Sequence, residues 1–233
     1  MAAGESLIIL SSIASGANTL REQLITPKYA GTLVVPELVT LGYEGIENDL
    51  HTSRDINWIP ESDFNRRVEN GEFGVVWARQ KVDFGPVKVI KHAYPMVPDS
   101  DPRLRVYFSN TSLLKSVQPS VEAFVDQARI AELTAQWEVR WQRLREAGFS
   151  EERVRRIMKW HEQNDDLKPM GYRPPAGKGL IDTTYANGDP DYVRREFEEL
   201  LVDVLNSPKI ADAEQKPEQL DLFEDGLDST DAS

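Results

Sequence analysis

The chain of 233 residues has no cysteine, and its three histidines, His51, His92 and His161, are spread far apart. Disulfide frameworks and thiolate metal sites are thereby excluded, and imidazoles without a close spacing leave no zinc motif, so no metal ligand is expected. No apolar run approaches the roughly eighteen residues of a membrane span, and no basic region precedes a long apolar core at the start. Neither a membrane segment nor a secretory leader is expected, and the cytoplasm is the expected location. Positive charge is also in short supply: 27 Lys and Arg face 39 Asp and Glu, for a formal net charge of −12. Residues 211 to 233 carry eight acids and one Lys, −7 of that total, so the body is only mildly acidic. An acidic body argues against direct contact with a nucleic-acid backbone. A hydrophobic content of 40% suits one sizeable core, here assigned to residues 1–206, followed by an acidic tail over 207–233 that is expected to be disordered.

What is present is, first, the apolar run Leu7-Ile-Ile-Leu10, which enters a small-residue turn over Ser11 to Gly16 and then a helix carrying Thr19, Leu20, Leu24 and Ile25 at helical spacing. This predicts a buried parallel strand, a turn and a helix packed back on the sheet. A working phosphate loop in that place reads G-x-x-x-x-G-K-[ST]. Glycines let backbone N–H groups close on the phosphates, the Lys reaches the outer phosphates and the hydroxyl holds Mg²⁺. Here Gly16 and Thr19 survive, and the Lys does not.

The frame resembles the guanylate kinase family, whose strand and loop run roughly L-I-V-L-S-G-P-S-G-A-G-K-S-T-L. Alignment on Leu10-Ser11 and Thr19-Leu20, with one residue deleted, sets Ser12 at the first glycine, Ile13 at the proline, Ala17 at the lysine and Asn18 at the first hydroxyl residue. The resemblance implies an α/β fold of the P-loop nucleoside-monophosphate-kinase kind, a parallel sheet flanked by helices with a helical lid. It assigns nucleotide binding to Ser12, Ser15, Gly16, Asn18 and Thr19, with ATP and Mg²⁺ as the ligands such a loop takes, and leaves the catalytic residues open.

Further matches follow in order. Pro36 ends or displaces a β-branched strand over Gly31 to Thr40, after which the family has its substrate threonine and arginines; here the first basic residue is Arg54. Asp55 to Phe64, then Glu69-Asn-Gly-Glu-Phe73, is similar to the family's D-Y-H-F-V-S-x-E-E-F and x-x-G-E-F, with Ile56 at the phosphate-binding tyrosine. Val76 lies near the acid that reads guanine, so guanine specificity loses its usual reader. Gln80 to Gly85 reads as a turn, Val87 to Ile90 and Leu104 to Phe108 as strands, the proline-rich stretch between those two strands as an irregular loop, and Ser109 to Ser112 as a turn or cap. Glu122 to Asn164 reads as one helical tract broken near Gly148, in the place of the lid. Its basic residues, Arg140, Arg143, Arg145, Arg153, Arg155, Arg156 and Lys159, are expected on a solvated, ion-paired face. Lys168 to Gly179 reads as a long loop, and Ile181 to Tyr185 with Tyr192 to Leu205 resembles the family's last strand and helix.

The tail contains Gln219-Leu-Asp-Leu-Phe223, which matches at every position the Q-L-[SD]-L-F motif of bacterial proteins that bind the β sliding clamp. Gln219 supplies an amide, Leu220, Leu222 and Phe223 supply apolar anchors, and Asp221 suits the rim. Each buried Leu or Phe is worth about 1.5–3 kcal/mol gross against about 2–5 kcal/mol for ordering the segment, so a micromolar or weaker contact is expected. The leading expectation is a kinase-like module with degraded catalysis, recruited to the clamp as a replication or repair accessory or antagonist. Two rivals remain: an active monophosphate kinase with a lid arginine in place of the loop Lys, and a protein-interaction domain that binds no nucleotide.

Overall fold

The computed structural model describes residues 5–11, 13–42, 56–81, 88–110, 112–116, 118–164, 180–182 and 190–206. Strand β1 (Ser6–Ser11) lies at the centre of a five-stranded parallel sheet in the order β2-β7-β1-β8-β9, with β2 Leu33–Val34, β7 Leu104–Ser109, β8 Ala128–Thr134 and β9 Leu180–Asp182. Both faces of β1 are covered, which is why its sequence is continuously apolar rather than alternating. Leu7 and Ile9 face helices α1 (Ala17–Leu24) and α6 (Pro190–Asn206), in a core completed by Leu20, Leu24, Val193, Phe197 and Leu200. Ile8 and Leu10 face the other way, toward Val75, Trp77, Tyr94, Tyr107 and Val121. This is a parallel sheet flanked by helices, the architecture that the resemblance to guanylate kinases implies.

Between β2 and β7 the chain inserts a second sheet in the order β4-β3-β6-β5, formed by β3 (Leu38–Leu41), β4 (Ile56–Ile59), β5 (Phe73–Lys81) and β6 (Lys88–Pro95). Strands β3 and β4 are parallel, and β5 and β6 are an antiparallel pair. Pro36 lies between β2 and β3 and so separates two sheets rather than two strands of one. Helix α2 (Glu61–Glu69) starts after Pro60 and buries Phe64 against Phe73, Val39 and Ala93. It ends at Asn70 and Gly71, whose φ of 67° is a left-handed value that glycine adopts without cost.

Two expectations fail. The tract from Glu122 is not one broken helix: α3 (Pro119–Asp126) stops at Gln127 and β8 follows, paired with β1 over Ser6 to Ser11, before α4 (Trp137–Glu146) and α5 (Glu151–Asn164) form the hairpin at the lid position. Ala, Arg, Glu and Leu favour a helix locally, but Ala128 and Ile130 fill one side of the sheet and Ala131 and Leu133 the other. Packing on two faces outweighs a propensity difference of a few tenths of a kcal/mol per residue. Likewise β6 runs beyond the short strand expected to end at Ile90, since the stretch up to Pro95 pairs with β5 instead of looping out. Pro95 is tolerated because it closes the last rung, opposite Phe73.

Candidate functional site

The crevice outside the carboxyl ends of β1 and β8 is where an α/β sheet of this kind presents a site, because the chain leaves β1 toward β2 on one side and leaves β8 toward β9 on the other. The loop from Ile13 to Gly16 fills that position. Ser12 lies outside the described residues. Ser15 is buried at 1% exposure, Gly16 caps α1 with a left-handed φ of 97°, and Asn18 and Thr19 are exposed on the first turn of the helix. Ala17, at the lysine position of the resemblance, packs toward the core shared by α1 and α6.

The loop backbone is taken up by α4. Arg140 is 5% exposed and donates from Nε to the carbonyl oxygen of Ile13 at 2.9 Å; Arg143 donates from Nη1 to the carbonyl oxygen of Ala14 at 2.9 Å. Ala14 has a φ of 58°, a left-handed conformation that costs a residue with a Cβ about 1–2 kcal/mol, and the Arg143 bond fixes the carbonyl that this conformation presents. Burial lowers the Arg143 guanidinium below its ordinary range, and Glu146 opposes that shift. Ile13 and Ala14 also pack against Leu144, Phe149, Val154, Ile157 and Met158, so apolar burial and two hydrogen bonds bind the loop to the α4–α5 hairpin together.

The expectation of a solvated, ion-paired face therefore divides. Arg155 pairs with Glu151 and Arg156 with Glu152, all exposed, in contacts worth about 0.3–0.5 kcal/mol each. Arg145 instead donates to the carbonyl oxygen of Phe149, closing the end of α4. Arg140 and Arg143 turn inward. A signal for Arg140 was present: it stands three residues after Trp137, one before Trp141 and four before Leu144, on the same helical stripe. Trp137 and Trp141 stack on that stripe with centroids 4.8 Å apart.

Across the crevice the polar groups engage one another. Ser11 Oγ donates to the carbonyl oxygen of Ser109 at 3.3 Å, and Asn110 Oδ1 accepts from the backbone N–H of Ser112 at 2.9 Å, an Asx turn rather than a helix cap. Trp77 Nε1 donates to Ser112 Oγ at 3.2 Å. On the inserted sheet, Thr40 is fully buried and its hydroxyl lies 2.8 Å from Nδ1 of His92. Val76 packs into the core of α2 and β5. Arg54 and the side chain of Ile56 lie outside the described residues, as do Gln219, Leu220, Asp221, Leu222 and Phe223. Among the described residues no group of three or more His, Asp or Glu is gathered to hold a metal ion, and no helix is long and apolar enough to cross a membrane.

No family model matches the chain, and no curated protein matches it in sequence. Solved structures similar to it include a crystal structure of guanylate kinase from Anaplasma phagocytophilum, at 13% identity over 89% of each chain with a TM-score of 0.49.

Proposed function

We propose that this chain is a guanylate kinase-like module whose phosphate loop no longer works as one, and that its tail recruits it to a bacterial β sliding clamp as a replication or repair accessory or antagonist. The observation that carries the first half is the engagement of the Ile13 and Ala14 carbonyls by Arg140 and Arg143. A phosphate loop presents N–H groups to its anion and needs a cation alongside. In this loop Ala17 stands where the cation is expected, and the arginines at hand are spent on the loop itself. Loss of the Lys removes a charge-assisted bond of about 1.5–3 kcal/mol, a tenfold to hundredfold weaker grip on a nucleotide. The sequence Gln219-Leu-Asp-Leu-Phe223 supports the second half.

Calorimetric titration of the full chain tests both halves. The expected result is Mg²⁺–ATP binding no tighter than high micromolar and micromolar binding to the clamp. Submicromolar, Mg²⁺-dependent ATP binding contradicts the first half, and absence of clamp binding the second.

The location of Arg140 and Arg143 favours one other reading, an active kinase in which a lid arginine replaces the loop Lys. That reading requires tight ATP binding that Arg143→Gln abolishes.

A further inference from the structure

We infer that the exposed Trp137 end of the α4–α5 hairpin is a docking surface for the chain's own acidic segment 211–233, with Leu222 and Phe223 seated on the indole. Docked and clamp-bound states of Gln219 to Phe223 exclude each other, so the hairpin sets how much of the motif an outside partner can reach. Docking within the chain stands on the hairpin and on the charge of the segment. Only its consequence for the clamp rests on the recruitment proposed above.

The surface is an aromatic stripe that runs out of a core. Leu144 of α4 packs with Phe149, Val154, Ile157 and Met158, and Trp141, about one turn earlier, is half-buried against the same cluster. Trp137, one turn earlier again, stacks on Trp141 and keeps 40% of its surface exposed. The other large apolar side chains exposed among the described residues are Ile25, Val68, Val89, Met96 and Val202, none of them aromatic. An indole held on a helix by a stacked neighbour gives a large contact area for little loss of side-chain freedom, and Trp is accordingly enriched where binding energy concentrates.

Charge selects the occupant. From Trp137 to Lys159 seven Lys and Arg face four Glu, a balance of +3 inside a chain of −12, whereas residues 211 to 233 balance at −7. Arg145, Arg155, Arg156 and Lys159 are exposed on the hairpin, and Glu218, Glu224 and Asp225 flank the motif. Opposite charge brings the two together, and Leu222 and Phe223 on Trp137 supply the short-range contact. The reach suffices. Twelve residues, 207–218, separate the end of α6 from the motif. Extended, they span up to ~40 Å, comparable with the diameter of a body whose radius of gyration is ~17 Å. Tethering holds the segment at an effective concentration of about 1 mM, so a contact of only millimolar strength is made about half the time.

The absence of cysteine allows a single spin label at Ser229→Cys on the full chain. Paramagnetic broadening is expected at the Trp137 indole N–H and at α4–α5 amides, not at those of α1, α2 or β5, and it is expected to persist on dilution. It is expected to fade at about 0.5 M salt, where exposed charges are screened, and to vanish both in Trp137→Gln and in the tail variant Leu222→Ala with Phe223→Ala. A hairpin that stays sharp, or broadening that the tail variant leaves in place or that falls on another face, overturns the inference. So does a Trp137 resonance that moves only when single-stranded DNA is added. None of these readings needs the clamp, so they stand even where the motif binds none. Where it does bind, Trp137→Gln is expected to tighten the full chain's affinity for the clamp about twofold or more, and an unchanged affinity overturns the control of the motif by the hairpin.

Discussion

Arg140 on α4 and Ile13 in the loop after β1 are 127 positions apart in the chain, yet the nearly buried Arg140 donates from Nε to the Ile13 carbonyl oxygen at 2.9 Å. A guanidinium in that place holds a loop conformation and closes over it. The same contact, with that of Arg143 to Ala14, fixes two successive carbonyls of the loop against α4.

Substitution of Arg140 therefore acts on stability first. Arg140→Gln takes the donor away from the partly buried Ile13 carbonyl, and the expected loss is about 1–3 kcal/mol in urea unfolding. Arg140→Lys is expected to recover little of it, since an ammonium has no Nε–H on a planar fork. Arg143→Gln, at a half-buried position, is expected to cost less, about 0.5–1.5 kcal/mol. Stability unchanged by Arg140→Gln would show that the contact is incidental.

The joint between the sheets gives a second expectation. Tyr94 is 1% exposed, burial pushes its phenol well above the ordinary range, and its hydroxyl donates to the carbonyl oxygen of Phe108. Tyr94→Phe keeps the ring and leaves a buried carbonyl unsatisfied, at an expected cost of about 1–3 kcal/mol. Trp77→Phe is expected to cost more, since it loses both the bond to Ser112 and the bulk of a buried indole. Chemical denaturation of the two variants against the parent measures both.

The Asp101–Arg103 clamp predicts a pH effect. The Arg103 guanidinium, with its backbone N–H, draws the Asp101 carboxyl down from its ordinary 3.8 to about 2. A depressed carboxylate stabilises the fold in full above its unfolded value and loses that contribution as pH falls through about 2. Carbon-detected NMR of the Asp101 carboxyl is expected to show a midpoint near 2, moving up toward 3.8 in Arg103→Gln. A midpoint that Arg103→Gln leaves in place would assign the shift to some other group.

For the tail, a peptide spanning Lys216 to Leu227 is expected to bind a bacterial β clamp without help from the domain. Changing Leu222 and Phe223 together to Ala removes about 3–6 kcal/mol of gross burial, enough to abolish a micromolar contact, whereas Asp221→Ser is expected to be nearly silent. The flanking Glu218, Glu224 and Asp225 act on the on-rate and its salt dependence. Fluorescence anisotropy against clamps from several bacteria measures all three, and binding unaffected by the double change would reduce Gln219 to Phe223 to a coincidence.

The sequence disclosed the elements whose local signals agree with their surroundings. The β1 run carries its own local cause, an unbroken apolar stretch that enters a small-residue turn and a helix, and it lies at the centre of the parallel sheet. Strand β8 was hidden, because a central strand covered on both faces has no alternation and Ala-Arg-Ile-Ala-Glu-Leu reads as helix. The inward turn of Arg140 was hidden for a related reason: charge made it look solvated, while its place on the Trp137, Trp141 and Leu144 stripe marked it as buried. The missing loop Lys was plain in the sequence, but the two arginines that occupy the loop carbonyls come from a helix more than a hundred residues away, and only packing brings them there.

Phosphoryl transfer from Mg²⁺–ATP to a panel of nucleoside monophosphates, measured on the full chain purified free of host kinase, tests the central claim most directly. Removing one preorganised electrostatic contact commonly costs about 10²–10³ in rate, and this loop lacks its Lys and presents bonded carbonyls, so no turnover above background is expected with any monophosphate. Turnover of ~10 per second, a common rate among enzymes, that survives repurification and disappears in Arg143→Gln would contradict the account and make the α4 arginine the replacement cation.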